Sequence, residues 1–151
     1  MESIRKLYKI GNGPSSSHTM GPAVAAMKFL QDTPDAESYV VKLYGSLAAT
    51  GKGHLTDEII LRILGRERTK ISFKPEVAYR YHPNGVKFEA YKNNERFHKW
   101  LVFSVGGGSL KELDETRDEF SDKTYPHKSM EEIISFCEEN NLTLYQYVIK
   151  Y

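Results

Sequence analysis

The stretch YVVKLYGSLAATGKGHLTDEIILRILG, residues 39–65, decides the fold class. Tyr39, Val40, Val41, Leu43 and Tyr44 form a β-rich run that ends at Gly45, which reads as a strand covered on both faces. A Gly-rich connection follows. Leu55, Ile59, Ile60, Ile63 and Leu64 then mark a helix, with Thr56 or Asp57 able to cap its first turn and Gly65 placed to end it. On the N-terminal side, Met20, Val24, Met27 and Leu30 recur at helical spacing before the turn signal Thr33-Pro34-Asp35, so a first helix runs from Thr19 to Gln31 with these four as its apolar face. On the C-terminal side the period changes to two. Candidate strands lie at Thr69 to Phe73 or Val77 to Tyr81, then Val86 to Lys92 and Lys99 to Val105, with Pro83-Asn84-Gly85 and Asn93-Asn94 as hairpin-type connections. Helix, strand, helix and then antiparallel strands imply an α+β fold, a mixed sheet with helices packed on one face.

Beyond this core, residues 1–110, the stretch 111–128 is charged and poor in apolar residues and reads as a surface loop. Order resumes at Ser129. Ser129 and Glu132 have capping-box spacing, with Met130, Ile133, Ile134 and Cys137 as an apolar stripe behind them. The segment 129–151 therefore reads as C-terminal helices or a linker, and its last residues start a helical pattern that stops without a cap, as in a chain cut from something longer. Composition narrows the function. Of 151 residues, 21 Lys+Arg against 20 Asp+Glu leave a charge of +1, with 40% hydrophobic residues, so a core needs no staples and no electrostatic footprint for nucleic acid exists. The single cysteine, Cys137, rules out a disulfide framework, a four-cysteine zinc site and a cluster ligated by this chain alone, and favours the cytoplasm. No apolar run reaches the ~20 residues that span a bilayer, so no membrane partner is expected.

Two segments could carry chemistry. In GNGPSSSHTMGP, residues 11–22, Ser15, Ser16, Ser17, His18 and Thr19 precede a helix start, where unpaired amides and hydroxyls suit a carboxylate or phosphate. The bland reading is an N-cap, for which one serine would suffice. In YGSLAATGKGHLTDE, residues 44–58, a glycine loop presents His54 beside a helix start, with Thr56 and Asp57 near enough to orient the imidazole. A structural histidine is the alternative. The likeness to a phosphate loop fails because Lys52 is followed by Gly53, not Ser or Thr. His82 falls in a turn, His98 in a polar stretch between strands and His127 near the charged loop, and none has metal-site spacing. The glycines at 106–108 read as a bulge, a close-approach site or a positive-φ turn.

GPSSSHTMGP at 13–22, YGSLAATGKGHLTDE at 44–58, HPNG at 82–85 and FSVGGG at 103–108 resemble, in order, the β chain or N-terminal domain of iron-sulfur-dependent L-serine dehydratase. The likeness implies a lyase of serine metabolism and gluconeogenesis that converts L-serine to pyruvate and ammonia, without PLP. A 4Fe-4S cluster on a separate catalytic α domain or subunit would bind the substrate. It also implies a fold similar to the allosteric substrate-binding domain of phosphoglycerate dehydrogenases, and a homo-oligomer. His18 and His54 match the family's motif histidines. Carried over, His54 is the candidate base, and His18 with Ser15, Ser16, Ser17 and Thr19 the substrate loop. The short span between Gly65 and Lys74 departs from relatives that carry an insertion there. A regulatory or assembly domain that binds serine or the catalytic partner is the rival reading, and a free-standing anion-binding protein a third.

Overall fold

A computed structural model describes residues 10–113, 125–127 and 129–151. The chain divides into two compact units, one spanning Lys9–Glu115 and the other including Thr116–Tyr151.

The larger unit starts with a short turn of π-type helix, Ser16–Met20, that runs into α1, Gly21–Asp32. Strand β1, Ser38–Tyr44, is followed directly by α2, Gly45–Thr50, then by α3, Thr56–Leu64. Strands β2, Thr69–Lys74, β3, Gly85–Lys92, β4, Glu95–Gly106, and β5, Ser109–Lys111, complete the unit. The sheet order is β2-β1-β3-β4-β5, with β1 and β2 parallel and the other pairs antiparallel, so the fold is α+β with the expected mixed sheet.

Side chains alternate across a strand, so Tyr39, Val41, Leu43, Val86, Phe88, Ala90 and Val102 face one core with Ala25, Ala26 and Phe29 of α1 and Ile59, Ile60 and Leu64 of α3. Phe29 is the hub. Its ring lies 5.2 Å from Phe88, 5.5 Å from His98 and 6.0 Å from Tyr39.

Four expectations change. First, α1 buries Gly21, Pro22, Ala23, Ala25, Ala26 and Phe29, while Val24 and Met27 are exposed at 40% and 47%. The small face wins because it lets the helix approach the sheet. A Cβ on Gly21 would come within 1.9 Å of Ser104 Oγ, and one large ring, Phe29, fills the remaining space. Second, β1 is covered on one face only, since Val40 and Lys42 stay half-exposed on the other. That face carries Glu89, 2% exposed, bonded by Lys42 at 3.0 Å, Lys87 at 2.9 Å and Arg96 at 3.1 Å.

Third, the Gly-rich connection is largely helical. Gly45 takes φ +50, and Pro83 O sits 2.5 Å from where its Cβ would be, so only glycine lets the chain turn from β1 into α2 here. Fourth, Pro83-Asn84-Gly85 closes no hairpin. Because β3 pairs with β1 and not with β2, residues 75–84 cross over the sheet, and Tyr79 and Tyr81 pack on Phe103 at 5.4 and 5.1 Å. Asn93-Asn94 is the hairpin, both residues at positive φ between β3 and β4.

In the second unit, α4, Met130–Glu139, starts at Ser129, whose Oγ accepts from Glu132 N at 3.2 Å. Helix α5, Leu144–Lys150, carries a complete capping box of Thr143 and Gln146. Ile133 and Cys137 are buried with Tyr125 and Tyr147, whereas Met130 and Ile134 are exposed and leave the apolar stripe. The proposed surface loop falls, at 114–124 and 128, outside the described residues. Among the described residues no helix is long and apolar enough to cross a membrane.

Candidate functional site

The two motif histidines meet. His18, in the π-type turn, and His54, in the loop between α2 and α3, have ring centroids 4.9 Å apart and are both half-buried. A reciprocal pair of hydroxyl bonds holds their backbones together. Thr19 Oγ1 donates to His54 O at 2.8 Å, and Thr56 Oγ1 donates to His18 O at 2.5 Å. Thr19 and Thr56 are 2% and 0% exposed, so these bonds are screened from water.

Ser15 builds the turn. Its Oγ accepts from His18 N at 3.1 Å, and its carbonyl accepts from Thr19 N and Met20 N, both at 3.0 Å. Of the amides at the helix start, that of His18 is therefore spent on the Ser15 hydroxyl. Ser16 is exposed, and Ser17 is half-buried with its Oγ 2.9 Å from His18 Nδ1.

His54 is oriented by neither of its expected neighbours. Thr56 serves His18 O, and Asp57 Oδ1 accepts from Glu58 N. Instead His54 Nδ1 lies 3.0 Å from Thr50 O. A carbonyl oxygen can only accept, so Nδ1 carries the proton and Nε2 keeps a free lone pair. His18 sits between two hydroxyls, Ser17 Oγ at Nδ1 and Ser46 Oγ at Nε2, the latter at 3.1 Å. Burial, reinforced by the His54 imidazole, holds the His18 ring below the usual histidine range. The pair therefore offers one neutral, buttressed imidazole and one imidazole whose tautomer is fixed with Nε2 as the base nitrogen.

Three further residues join the site. Ser46 contacts His18 across 28 positions of sequence, Ser104 Oγ donates to Ser17 O at 2.6 Å across 87, and Asn84 Nδ2 donates to Ser104 O at 3.2 Å. All three lie within the motifs quoted above, but no spacing rule singles them out. The other histidines stand apart. His82 Nδ1 accepts from Asn84 N, His98 packs on Phe29 within β4, and His127 Nδ1 lies 2.9 Å from the Tyr147 hydroxyl. Among the described residues no three His, Cys, Asp or Glu side chains group as a metal site. A 4Fe-4S cluster does not fit this chain as ligand, since Cys137 is its one thiol and is buried.

Residues 3–68 match the family model described as serine dehydratase beta chain. Over 95% of its length the chain is 28% identical to L-serine dehydratase 1 of Escherichia coli and 30% identical to L-serine dehydratase TdcG of the same organism, covering 41% of each. It is 29% identical over 97% of its length to L-serine dehydratase of Helicobacter pylori, covering 42% of that protein. The chain thus spans about two fifths of the length of these curated relatives. The aligned span of 188 positions with the first exceeds the 151 residues of this chain, so that relative carries additional residues within the matched region.

Proposed function

We propose that this relative of the serine dehydratase beta chains supplies the proton-abstracting half of an L-serine ammonia-lyase. The observation that carries the reading is the bond from His54 Nδ1–H to Thr50 O, which leaves Nε2 as a base of fixed orientation beside the serine turn. In the reaction, L-serine loses its α-proton and its β-hydroxyl, the latter leaving as water. The resulting 2-aminoacrylate tautomerises and hydrolyses to pyruvate and ammonia. His54 Nε2 takes the α-proton. His18, kept neutral, does not place a second positive charge beside the imidazolium that forms, and Ser16 and Ser17 offer hydroxyls to the amino acid's polar groups. A general base so placed contributes about 10²–10⁴-fold.

The rest of the centre, including the iron-sulfur cluster, is assigned to a catalytic partner domain or chain, because the residues here do not form a ligand set for it. The test is anaerobic pyruvate formation from L-serine by this chain alone and reconstituted with its partner, comparing wild type with His54→Ala. Turnover only in the reconstituted protein, lowered at least a hundredfold in the variant with the partner's metal content unchanged, is expected. Unimpaired turnover in the variant would move the chain to a regulatory role.

A further inference from the structure

We propose that Asn84 is a positioning residue for His18, acting through Ser104 and the serine turn. The inference rests on the reading of the histidine pair as the working site. Both ring nitrogens of His18 face serine hydroxyls, Ser17 Oγ at 2.9 Å and Ser46 Oγ at 3.1 Å. The Ser46 backbone is held by Pro83 of the crossover, and that of Ser17 by Ser104 of β4, which the next crossover residue, Asn84, holds in turn. Pro83 O accepts from Ser46 N at 3.0 Å. Asn84 holds Ser104 at two points, its carbonyl accepting from Ser104 N at 3.0 Å and its Nδ2 donating to Ser104 O at 3.2 Å, and Ser104 Oγ in turn donates to Ser17 O at 2.6 Å. The Pro83–Asn84 pair therefore sets the gap in which the imidazole sits.

The Asn84 side chain is more than this bracing needs for stability. Asn84 is 8% exposed, and its Oδ1 is buried with no hydrogen-bond partner among the described residues. A buried acceptor without a donor is a cost that the fold carries together with the Nδ2 bond. Asn84→Ala takes the donor from Ser104 O, in a residue that is 0% exposed, and so loosens Ser104 and, through its Oγ, the Ser17 carbonyl. Gly21 leaves the space that Ser104 Oγ occupies, since a Cβ there would lie 1.9 Å from it. The link is thus built into the contact between α1 and β4.

The experiment is long-range ¹⁵N–¹H spectroscopy of the histidine rings in the full chain across a pH titration, together with thermal melting. It compares wild type, Asn84→Ala, Asn84→Asp, Ser104→Ala and the double variant Asn84→Ala/Ser104→Ala. Either Asn84 variant is expected to move the His18 ring nitrogen signals while those of His98 and His127 stay as in wild type. Ser104→Ala should reproduce the change, and the double variant should add nothing. A folded Asn84 variant with the wild-type His18 signals overturns the proposal, as does a shift shared equally by His98 and His127 with a lower melting temperature. Should both Asn84 variants fail to fold, Ser104→Ala decides: displaced His18 signals support the link, and unchanged ones overturn it. Turnover in the reconstituted enzyme is read separately. Wild-type rates with a displaced His18 would remove His18 from the reaction and leave the positioning role standing.

Discussion

The surroundings of His18 favour its neutral form on balance, the hydrogen bond at Ser46 acting the other way. Burial is the largest influence, and the His54 imidazole 4.9 Å away adds to it, so the folded protein binds a proton here less readily than the unfolded chain does. The sign follows from linkage: stability from this group is complete above the ordinary value of 6.5 and is lost as pH falls below it, because the unfolded chain takes up the proton first. His54→Ala removes the neighbouring imidazole and should move the His18 midpoint upward, checked by following ring proton shifts against pH. At this scale the sequence showed the residue types and the order of the motifs. It did not show which hydroxyl does what. The three serines and Thr19 looked interchangeable as donors, yet Ser15 caps the turn, Ser17 meets the ring, Ser16 faces water and Thr19 is buried against His54 O.

Among the elements, α1 shows why periodicity alone is ambiguous. Met20, Val24, Met27 and Leu30 give a stripe at helical spacing, but Ala25, Ala26 and Phe29 give another, and it is the second that enters the core, with Leu30 alone of the first four packed against it. Met27→Lys is therefore expected to change the unfolding free energy by no more than about 0.5 kcal/mol. Phe29→Ala, which empties the hub of the core, should cost about 3–5 kcal/mol, and urea unfolding of the two variants checks both. Helix α3 behaved differently. Ile59, Ile60, Ile63 and Leu64 form one stripe and Gly65 ends the helix, at φ +95, so its existence and its end were legible, whereas neither Thr56 nor Asp57 caps its start, where Leu55 is the exposed cap residue without a side-chain bond. Helix α2 was missed because six residues rich in Gly, Ser and Ala carry no amphipathic signal, and its start depends on Pro83 O across the chain.

For the molecule as a whole, the open face of the sheet is organised by a single carboxylate. Burial alone would raise the Glu89 carboxyl, but the hydrogen bonds and charges of Lys87 and Lys42 outweigh it and hold the group at about 2, against an ordinary 4.5. That depression corresponds to at most about 3.5 kcal/mol, present above the ordinary value of 4.5 and lost as pH falls from there to the folded value. Glu89→Gln should lower the urea midpoint at pH 7, followed by fluorescence of the single Trp100, and the gap from wild type should close as pH approaches 2. By itself the sequence determined the α+β class, the order of most elements and the two histidine motifs. Those features are written in local periodicity and in residue types whose chemistry does not depend on context. Only the tertiary structure decided which face of α1 is buried, that residues 75–84 cross over the sheet, and that Ser46, Asn84 and Ser104 brace the serine turn. Each of these rests on contacts between residues far apart in the chain, and neither propensity nor spacing encodes which of several equivalent partners a fold brings together.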